Sequence, residues 1–318
     1  MRAVSGSVIV RSFLRARAHR SSRTLPSVPL CNICHAESSG EVEQAQVRSN
    51  VRKFRDEQFW VWRCPKCLSV HARDEVDLAH YYRDYPFHHL READQDWMLR
   101  AMYDRQLGRL RAAGLRPDHD VLDFGCGGGA FVRFLQSRGY GKARGFDEYS
   151  AAFADRSVLS QRYDVILSQD VLEHVPEPWD FLHQMQSLSK PGGVIALGTP
   201  NAESIDLARP EVRVHTLHQP YHRHIFSKRM LLTLGEPLGW KLDRYYRTMY
   251  ANTLLPFVNS CFVNHYFKCH DDTVDLATEP INPKSWKLYS PLTLFYALFG
   301  YFFAPESDVT VVYRSAQR

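Results

Sequence analysis

From about residue 117 onward, short apolar runs alternate with segments whose apolar residues recur every three or four positions. Continuous runs such as 119–125 (HDVLDFG), 163–170 (YDVILSQD) and 191–200 (PGGVIALGTP) are typical of buried strands, whereas 128–139 and 178–190 have helical spacing. Gly139 follows the first of these helices, and Pro178 stands near the start of the second. The repeated strand-then-helix order predicts an α/β domain with a doubly wound, mostly parallel sheet.

The rest of the chain divides by composition. Residues 1–29 form a basic tail, 30–75 a small cysteine-containing module, 76–116 a helical connector, and 117–318 the α/β domain. Segments 143–147 and 307–315 predict two further strands, and 227–240 predicts another helix. The aromatic segment 250–305 suits a roof over a ligand pocket, an oligomer interface or additional core.

Charge is concentrated at the N-terminus. The first thirty residues hold six arginines and no acid, so removing these six charges from the formal +5 leaves −1 for the remainder. A nearly neutral body argues against a nucleic-acid-binding face. The Arg- and Ser-rich tail predicts a disordered segment or an over-long start in a cytoplasmic protein, with a mitochondrial transit peptide as the alternative.

No stretch reaches the roughly 18 apolar residues that a bilayer-spanning helix needs. The longest apolar run, 292–304, predicts a buried helix or a lid, and weak contact with a membrane surface is the alternative. The oligomeric state is left open by the sequence.

Four of the seven cysteines form two C-x2-C pairs, CNIC and CPKC, which contain Cys31, Cys34, Cys64 and Cys67. Two such pairs separated by a hairpin-length segment supply four thiolates for tetrahedral Zn²⁺. This pattern predicts a zinc ribbon at residues 30–75 with a structural ion, and two disulfides are the alternative.

The strongest indication of function is VLDFGCGGGAF, which lies between a predicted strand and a predicted helix. Asp123, Gly125, Gly127 and Gly129 give the spacing D-x-G-x-G-x-G, with Cys126 inside it. Glycines let the backbone turn sharply and approach a ligand, and the helix N-terminus favours an anionic group. Asp147 ends the next strand, where a carboxylate can accept hydrogen bonds from ribose hydroxyls.

These motifs resemble the class I S-adenosylmethionine-dependent methyltransferases, with their Rossmann-like sheet, over residues 117–201. The resemblance implies that the glycine motif, including Asp123, Cys126 and Gly129, binds the cofactor. Gly125 and Gly127 would lie along its methionine part and Asp147 would hold its ribose. Asp170, just after the third strand, would line the pocket near the transferred methyl and is a candidate catalytic residue.

The segment between Asp147 and Asp164 departs from this family. A full member has a helix, a strand and an adenine-contacting loop there, and sixteen residues cannot hold all three. We expect the helix and strand to be deleted or reduced to a turn. The surviving loop would place Asp155 where it accepts the adenine amine, and a solvated loop acid is the alternative.

The ribbon followed by HYYRDYP resembles zinc-ribbon methyltransferases, among them sugar C-methyltransferases. That resemblance implies that Tyr82 and Tyr85 fold over the cofactor. Packing between the ribbon and the core is the alternative role.

QDVLEHVP contains a further candidate site. Asp170, Glu173 and His174 have i, i+3, i+4 spacing, which places them on one face if the segment is helical. The set resembles the Glu-x-x-Glu-His metal ligands of ubiquinone-pathway O-methyltransferases, with Asp in place of the first Glu. It predicts a second divalent metal, or alternatively an ordered loop without one.

Four histidines lie within 215–224. His222 or His218 is a candidate general base, because an unperturbed imidazole titrates near neutrality. A histidine-rich metal site is another hypothesis, and Ser227 is expected to cap the following helix.

Together these patterns predict an enzyme that transfers the methyl of S-adenosylmethionine to a small-molecule acceptor, such as a sugar nucleotide or another metabolite. Two alternatives remain open. One is an RNA methyltransferase guided by the zinc ribbon, and the other is a catalytically degenerate fold that acts as a binding or assembly module.

Overall fold

The computed structural model describes residues 30–37, 41–83, 85–89, 96–281 and 284–316. The predictions for the tail 1–29 therefore fall outside the described residues. Within the described part of the chain, no helix combines the length and apolar character that crossing a membrane requires.

Strands and helices follow one another in the order that the hydrophobic pattern indicates for most of the chain. The strands are β1 Gln44–Arg48, β2 Gln58–Arg63, β3 Val70–Ala72, β4 Val121–Phe124, β5 Ala143–Phe146, β6 Tyr163–Gln169, β7 Ser189–Pro200, β8 His224–Ile225, β9 Lys241–Tyr246 and β10 Asp308–Arg314. The helices are α1 Leu78–Tyr82, α2 Trp97–Ala112, α3 Ala130–Ser137, α4 Pro178–Leu188, α5 Val214–Leu217, α6 Lys228–Thr233, α7 Ser260–Cys269 and α8 Pro291–Phe299.

The main sheet has the strand order β5-β4-β6-β7-β10-β9. The first four strands are parallel, and β10 runs antiparallel to both β7 and β9. Alternate residues of each central strand enter two cores, as the pair Val165 and Ile166 illustrates. Because both faces are covered, these strands read as continuous apolar runs, and the predicted α/β, mostly parallel sheet is confirmed.

The sheet ends at β5, as the short segment after Asp147 led us to expect. Between Phe146 and Tyr163 the chain forms turns and one short 3-10 helix, Arg156–Ser160. No strand pairs with β5 on its outer side among the described residues. The predicted loss of a helix and a strand is therefore confirmed.

The ribbon builds a second sheet, in the order β1-β2-β3-β8. The fourth strand comes from residues 224–225, far along the chain, and pairs antiparallel with β3. The Arg63 guanidinium also donates to the carbonyls of Ala202 and Ile205, at 3.1 and 2.6 Å. The cysteine module is thus joined to the α/β domain by both sheet pairing and hydrogen bonds.

The region after β8 differs from the prediction. The helix expected over 227–240 ends at Thr233 and is followed by turns, although Ser227 caps it as expected, accepting from the Met230 N–H. Strand β9 was not predicted, because its residues are mostly exposed and polar and show no buried run. Segment 250–305 contains α7 and α8, which pack on each other around a small core that includes Phe262 and Tyr266.

Candidate active site and cysteine cluster

The structure brings the four predicted metal-ligand cysteines together. Their sulfur atoms lie within 4.8 Å of one another, and the pairs Cys31–Cys67 and Cys34–Cys64 are each 3.7 Å apart. A tetrahedral ion with metal–sulfur bonds of about 2.3 Å requires sulfur–sulfur distances of about 3.8 Å. Disulfide sulfurs lie at about 2.0 Å, so this geometry suits a metal and not two disulfides.

The cluster is closed by the ribbon's own side chains. Cys31, Cys64 and Cys67 are buried, and the ring of His71 places Nε2 3.3 Å from the Cys31 sulfur. The Trp62 ring stacks on His71 at 4.7 Å between centroids. A buried, four-sulfur set of this kind could hold a structural ion.

The glycine motif forms the turn from β4 into α3. Gly125, Gly127 and Gly129 have φ values of 88°, 53° and 75°, in the region that only glycine adopts without strain. The N–H groups of Gly125 and Cys126 donate to the Phe146 carbonyl, which fixes the turn to the end of β5.

The glycines have different surroundings. A Cβ added at Gly125 would lie 2.3 Å from Val171, and one at Gly129 would lie 2.0 Å from Phe153. A Cβ at Gly127 would meet nothing within 4 Å. The first two positions are therefore needed for close packing, whereas the backbone at Gly127 faces open space that a ligand could occupy.

Asp147 is joined to the glycine turn. Its carboxylate accepts from the Gly127 N–H at 2.8 Å and, through the other oxygen, from the Tyr149 N–H at 2.9 Å. The side chain lies at the carboxyl end of β5, beside the carboxyl end of β4. Adjacent carboxyl ends of parallel strands form the usual ligand crevice of such sheets.

Asp123 lies beneath this turn and is buried. Burial and the nearby Asp147 carboxylate raise the pKa of Asp123 to about 7. Its position supports the turn from below, while Gly127 and Asp147 face the crevice.

Asp155 lies in the shortened segment and is exposed. It caps the 3-10 helix, because its two oxygens accept from the Ser157 N–H and hydroxyl at 2.9 and 2.7 Å. These bonds lower the pKa of Asp155. The predicted contact with adenine stays a prediction.

Asp170 follows β6 with a left-handed φ of 55°, and its N–H donates to the Gly198 carbonyl at 2.9 Å. The residue is exposed to solvent, although many protein atoms lie around its carboxyl group. Burial and the neighbouring Asp308 raise the pKa of Asp170 to about 7.

The second metal-ligand set differs from the prediction. Glu173 and His174 come within 4.8 Å of His222, and Asp170 is not part of this group. The expected helical face is absent, because Asp170 is left-handed and 172–174 form a turn. Spacing along a helix therefore gave the wrong third partner, and His222 comes from a distant loop.

Glu173 is fully buried with an unusual hydrogen-bonding pattern. Its Oε2 accepts from the Thr199 hydroxyl at 3.0 Å, whereas Oε1 has no hydrogen-bond partner and lies 3.9 Å from His222 Nε2. Burial, and then Asp170, raise the pKa of Glu173 well above its usual range. A protonated carboxyl or a bound cation would each relieve this burial.

The candidate bases His218 and His222 are also buried. His222 Nδ1 lies 2.8 Å from the Thr216 carbonyl, which requires an N–H there and leaves Nε2 as an acceptor facing Glu173. His218 binds Asn50 Oδ1 at 2.6 Å through Nδ1. Burial, followed by neighbouring histidines, lowers the pKa of both rings well below the usual value, so both are neutral.

Comparison with known proteins agrees with this geometry. The sequence model of a family described as a methyltransferase domain matches residues 92–245, which contain the glycine turn, Asp147 and Asp170. This similarity supports a class I S-adenosylmethionine-dependent methyltransferase fold for that part of the chain.

Proteins similar to this chain include two ubiquinone biosynthesis O-methyltransferases. That of Ruegeria pomeroyi is 31% identical over 140 residues, which cover 36% of this chain and 55% of the relative. That of Azoarcus sp. is 27% identical over 152 residues, covering 39% and 60%. The chain thus matches little more than half the length of these relatives.

Solved structures of similar fold include an S-adenosylmethionine-dependent methyltransferase from Mesorhizobium loti, with 13% identity, a TM-score of 0.39, and coverage of 66% of this chain and 97% of that chain. Another is an O-methyltransferase of a Brevibacillus brevis trans-AT PKS multienzyme in complex with S-adenosyl-L-homocysteine. Its identity is 16% and its TM-score 0.40, and the match covers 67% of this chain and 72% of that one.

Two tyrosines that follow the ribbon reach the cleft of the α/β domain. The Tyr82 hydroxyl lies 2.9 Å from His174 Nδ1, and its ring stacks on Tyr149 at 5.7 Å with an interplanar angle of 4°. The Tyr85 hydroxyl lies 3.3 Å from His218 Nε2. Both tyrosines therefore contact cleft residues of the α/β domain as well as each other.

Several cleft residues were not predicted. Tyr149 and Tyr250 are aromatic side chains of segments that turned out to fold toward the site, and Asp308 comes from the start of β10. Burial, and then Asp170, raise the pKa of the Tyr250 hydroxyl. Position along the chain carried no indication of these contacts, because each depends on tertiary folding.

Proposed function

We propose that this chain transfers the methyl group of S-adenosylmethionine to a small-molecule acceptor. The observation that carries the proposal is the glycine turn whose backbone is open at Gly127 and tied to Asp147. The backbone N–H groups of the glycine turn and of the first turn of α3 lie beside the Asp147 carboxylate. This combination suits a ligand with hydroxyl groups next to a charged amino-acid part.

The residues fit that cofactor. Gly125 and Gly127 would lie along the methionine part, and Asp147 would hold the ribose hydroxyls. S-adenosylmethionine would supply a methyl group that its sulfonium already makes electrophilic. The task left to the protein is alignment and, where the acceptor needs it, removal of a proton.

Acidic side chains support a cationic ligand in the cleft. The pKa values of Asp123 and Asp170 are both raised to about 7, by burial and by Asp147 and Asp308 respectively. A sulfonium charge beside these groups would relieve their mutual repulsion. An uncharged ligand of the same shape would not.

The acceptor would occupy the side of the cleft lined by Tyr82, Tyr149 and His174. Aromatic rings with a few polar atoms are typical of pockets for small organic molecules, of which a sugar nucleotide is one example. His174 joins His218 and His222 as a candidate base, since it keeps solvent contact while the other two are buried. Burial lowers the pKa of His174 to about 4, so the ring is neutral.

We further infer that the four cysteines hold a structural Zn²⁺. Four thiolates at tetrahedral separation and no open position suit an ion that fixes the ribbon. Because β8 completes the ribbon sheet, loss of the ion would also disturb the loop that carries His222 and His224.

Titration calorimetry of the purified chain with S-adenosylmethionine tests the central proposal. We expect binding by the wild-type protein and at least about tenfold weaker binding by Asp147→Ala, because a charge-assisted hydrogen bond contributes about 1.5–3 kcal/mol. Asp118→Ala is the matched control, since Asp118 is an exposed acid on a different loop. Absence of binding by the folded wild-type protein would refute the proposal.

A further inference from the structure

Residues 286–303 expose an unusual number of large apolar side chains. Nine of them are between 39% and 76% exposed, and we call this set the aromatic patch: Trp286, Tyr289, Leu292, Leu294, Phe295, Leu298, Phe299, Phe302 and Phe303. At roughly 200 Å² per large side chain, half exposure of nine gives on the order of 900 Å². The largest apolar patch of an ordinary monomer is about 300–600 Å².

The patch is held firmly on the protein body. Helix α8 turns Thr293 and Ala297 inward, and Ser290 caps its first turn by accepting from the Thr293 N–H at 3.2 Å. The Asn259 amide donates to the Tyr296 carbonyl at 2.9 Å. The exposed face is therefore the outer side of a packed helix and not the result of a loose segment.

The exposed rings form one surface. Phe295 contacts both Phe299 and Phe303, with ring centroids 5.6 and 5.5 Å apart. Helix α8 has nine residues, far fewer than the roughly 20 that span a bilayer, so it can lie along a membrane but cannot cross it.

Charge around the patch favours anionic partners. From residue 280 to residue 305 the sequence contains no Asp or Glu, and its only charged residues are Lys284 and Lys287. Lys287 donates to the Cys269 carbonyl, which holds its positive charge at the C-terminal end of α7. Tryptophan, tyrosine and lysine beside an apolar face are the residues that favour the headgroup region of a bilayer.

The apolar centre of the patch offers few hydrogen-bonding groups to a protein partner. Protein interfaces combine an apolar centre with a rim that forms about one hydrogen bond per 100–200 Å². Among the nine residues of the aromatic patch, only Trp286 and Tyr289 carry a side-chain polar atom, and both lie at its N-terminal edge. A lipid bilayer does not require hydrogen-bonding groups at fixed positions on the protein surface.

We propose that the aromatic patch docks this protein on a lipid bilayer with anionic headgroups. Phe295, Phe299, Phe302 and Phe303 enter the acyl boundary, and Lys284 and Lys287 face the headgroups. This inference does not depend on methyl transfer, because it concerns a surface separate from the cleft.

Vesicle flotation tests the proposal with the full chain. One set of vesicles is pure phosphatidylcholine, and in the other a third of that lipid is replaced by phosphatidylglycerol. We expect the wild-type protein to float with the anionic vesicles and the double variant Phe302→Ser, Phe303→Ser to bind at least about tenfold more weakly. Lys284→Glu should weaken binding to the anionic vesicles.

A matched pair of tryptophan variants provides the control. Trp286→Ser should reduce flotation, whereas Trp97→Ser should not, because Trp97 is 58% exposed at the start of α2 and outside the patch. Circular dichroism melting confirms that each variant is folded. Absence of wild-type flotation at low ionic strength would overturn the proposal. So would sedimentation velocity showing a wild-type dimer that the double phenylalanine variant converts to a monomer.

Discussion

Asp170 should couple cofactor binding to the release of a proton. Desolvation by the surrounding protein atoms and the nearby Asp308 raise the pKa of this solvent-exposed carboxyl to about 7, and the Gln169 amide opposes the shift. In the free protein the carboxyl therefore holds a proton below about pH 7. A sulfonium cation close to Asp170 favours the ionised form, so binding of S-adenosylmethionine should expel that proton.

The size of the effect follows from the charges around Asp170. Asp308 at the start of β10 repels its negative charge, and the Tyr250 hydroxyl lies in the same environment. One released proton makes the association constant rise tenfold per pH unit below the pKa of the free protein. Because Asp170 keeps solvent contact, screening reduces this limit, and we expect about three- to tenfold per unit between about pH 5 and pH 7.

The raised pKa of Asp170 also makes folding stability depend on pH, but stability falls as the pH rises, whereas cofactor affinity increases. The unfolded chain releases the Asp170 proton near the ordinary value of 3.8, whereas the folded chain keeps it until about pH 7. The contribution of this carboxyl to stability is therefore greatest below about pH 4 and falls as the pH rises toward 7. A bound cation offsets that loss, so the cofactor should stabilise the protein more at neutral than at acidic pH.

Calorimetry in two buffers of different ionisation enthalpy measures the released proton directly. S-adenosylhomocysteine is the matched ligand, because it lacks the sulfonium charge, and its affinity should vary less with pH. The variant Asp170→Asn should bind S-adenosylmethionine with a flatter pH dependence. An unchanged slope in this variant would assign the proton to another group, such as Asp123, and an affinity independent of pH would refute the reasoning.

Three further predictions concern the glycine turn, the cysteines and Glu173. Gly129→Ala should lower the melting temperature by several degrees, because its Cβ would lie 2.0 Å from Phe153 at a φ of 75°. Gly127→Ala has room for its Cβ, so its backbone strain at a φ of 53° should lower the melting temperature less, and it should also weaken cofactor binding. Cys34→Ser should reduce the zinc content measured by elemental analysis and lower the melting temperature, and a chelator should reproduce the loss in the wild-type protein. The melting temperature of Glu173→Gln should lie within about 2 °C of that of the wild-type protein, because an amide replaces a protonated carboxyl. If Mn²⁺ raises the melting temperature of the wild-type protein and not that of the variant, an ion binds at this position instead.

The parts of the fold that the sequence predicts are those with a local cause. Strands β4, β6 and β7 are buried on both faces, so each appears as an uninterrupted apolar run. The cysteine pairs and the glycine turn were evident because their spacing is fixed by ligand geometry and by backbone conformation. The shortened segment after Asp147 was evident from chain length alone.

The parts that the sequence does not predict depend on distant contacts. Strand β8 has two residues and exists because it pairs with β3 of the ribbon. His222 joins Glu173 through another long-range contact, because the Glu173 carbonyl accepts hydrogen bonds from the Arg223 and His224 N–H groups. Tyr250 reaches Asp170 through the fold of segment 250–305, whose composition is compatible with several roles, and Asp308 does so through the pairing of β10 with β7.

The shortened segment changes one side of the cofactor site and leaves the other intact. Phe153 packs against Gly129, and its carbonyl accepts from the Asp147 N–H at 3.0 Å, so the loop that remains is anchored to the turn it borders. The groups suited to ribose and methionine, Asp147 and Gly127, are held by strands β4 and β5 and do not need the missing unit. Because β5 is the edge strand of the described sheet, the loop ending at the exposed Asp155 would border the proposed adenine position. Recognition should therefore depend more on the ribose and the charged methionine part than on the base.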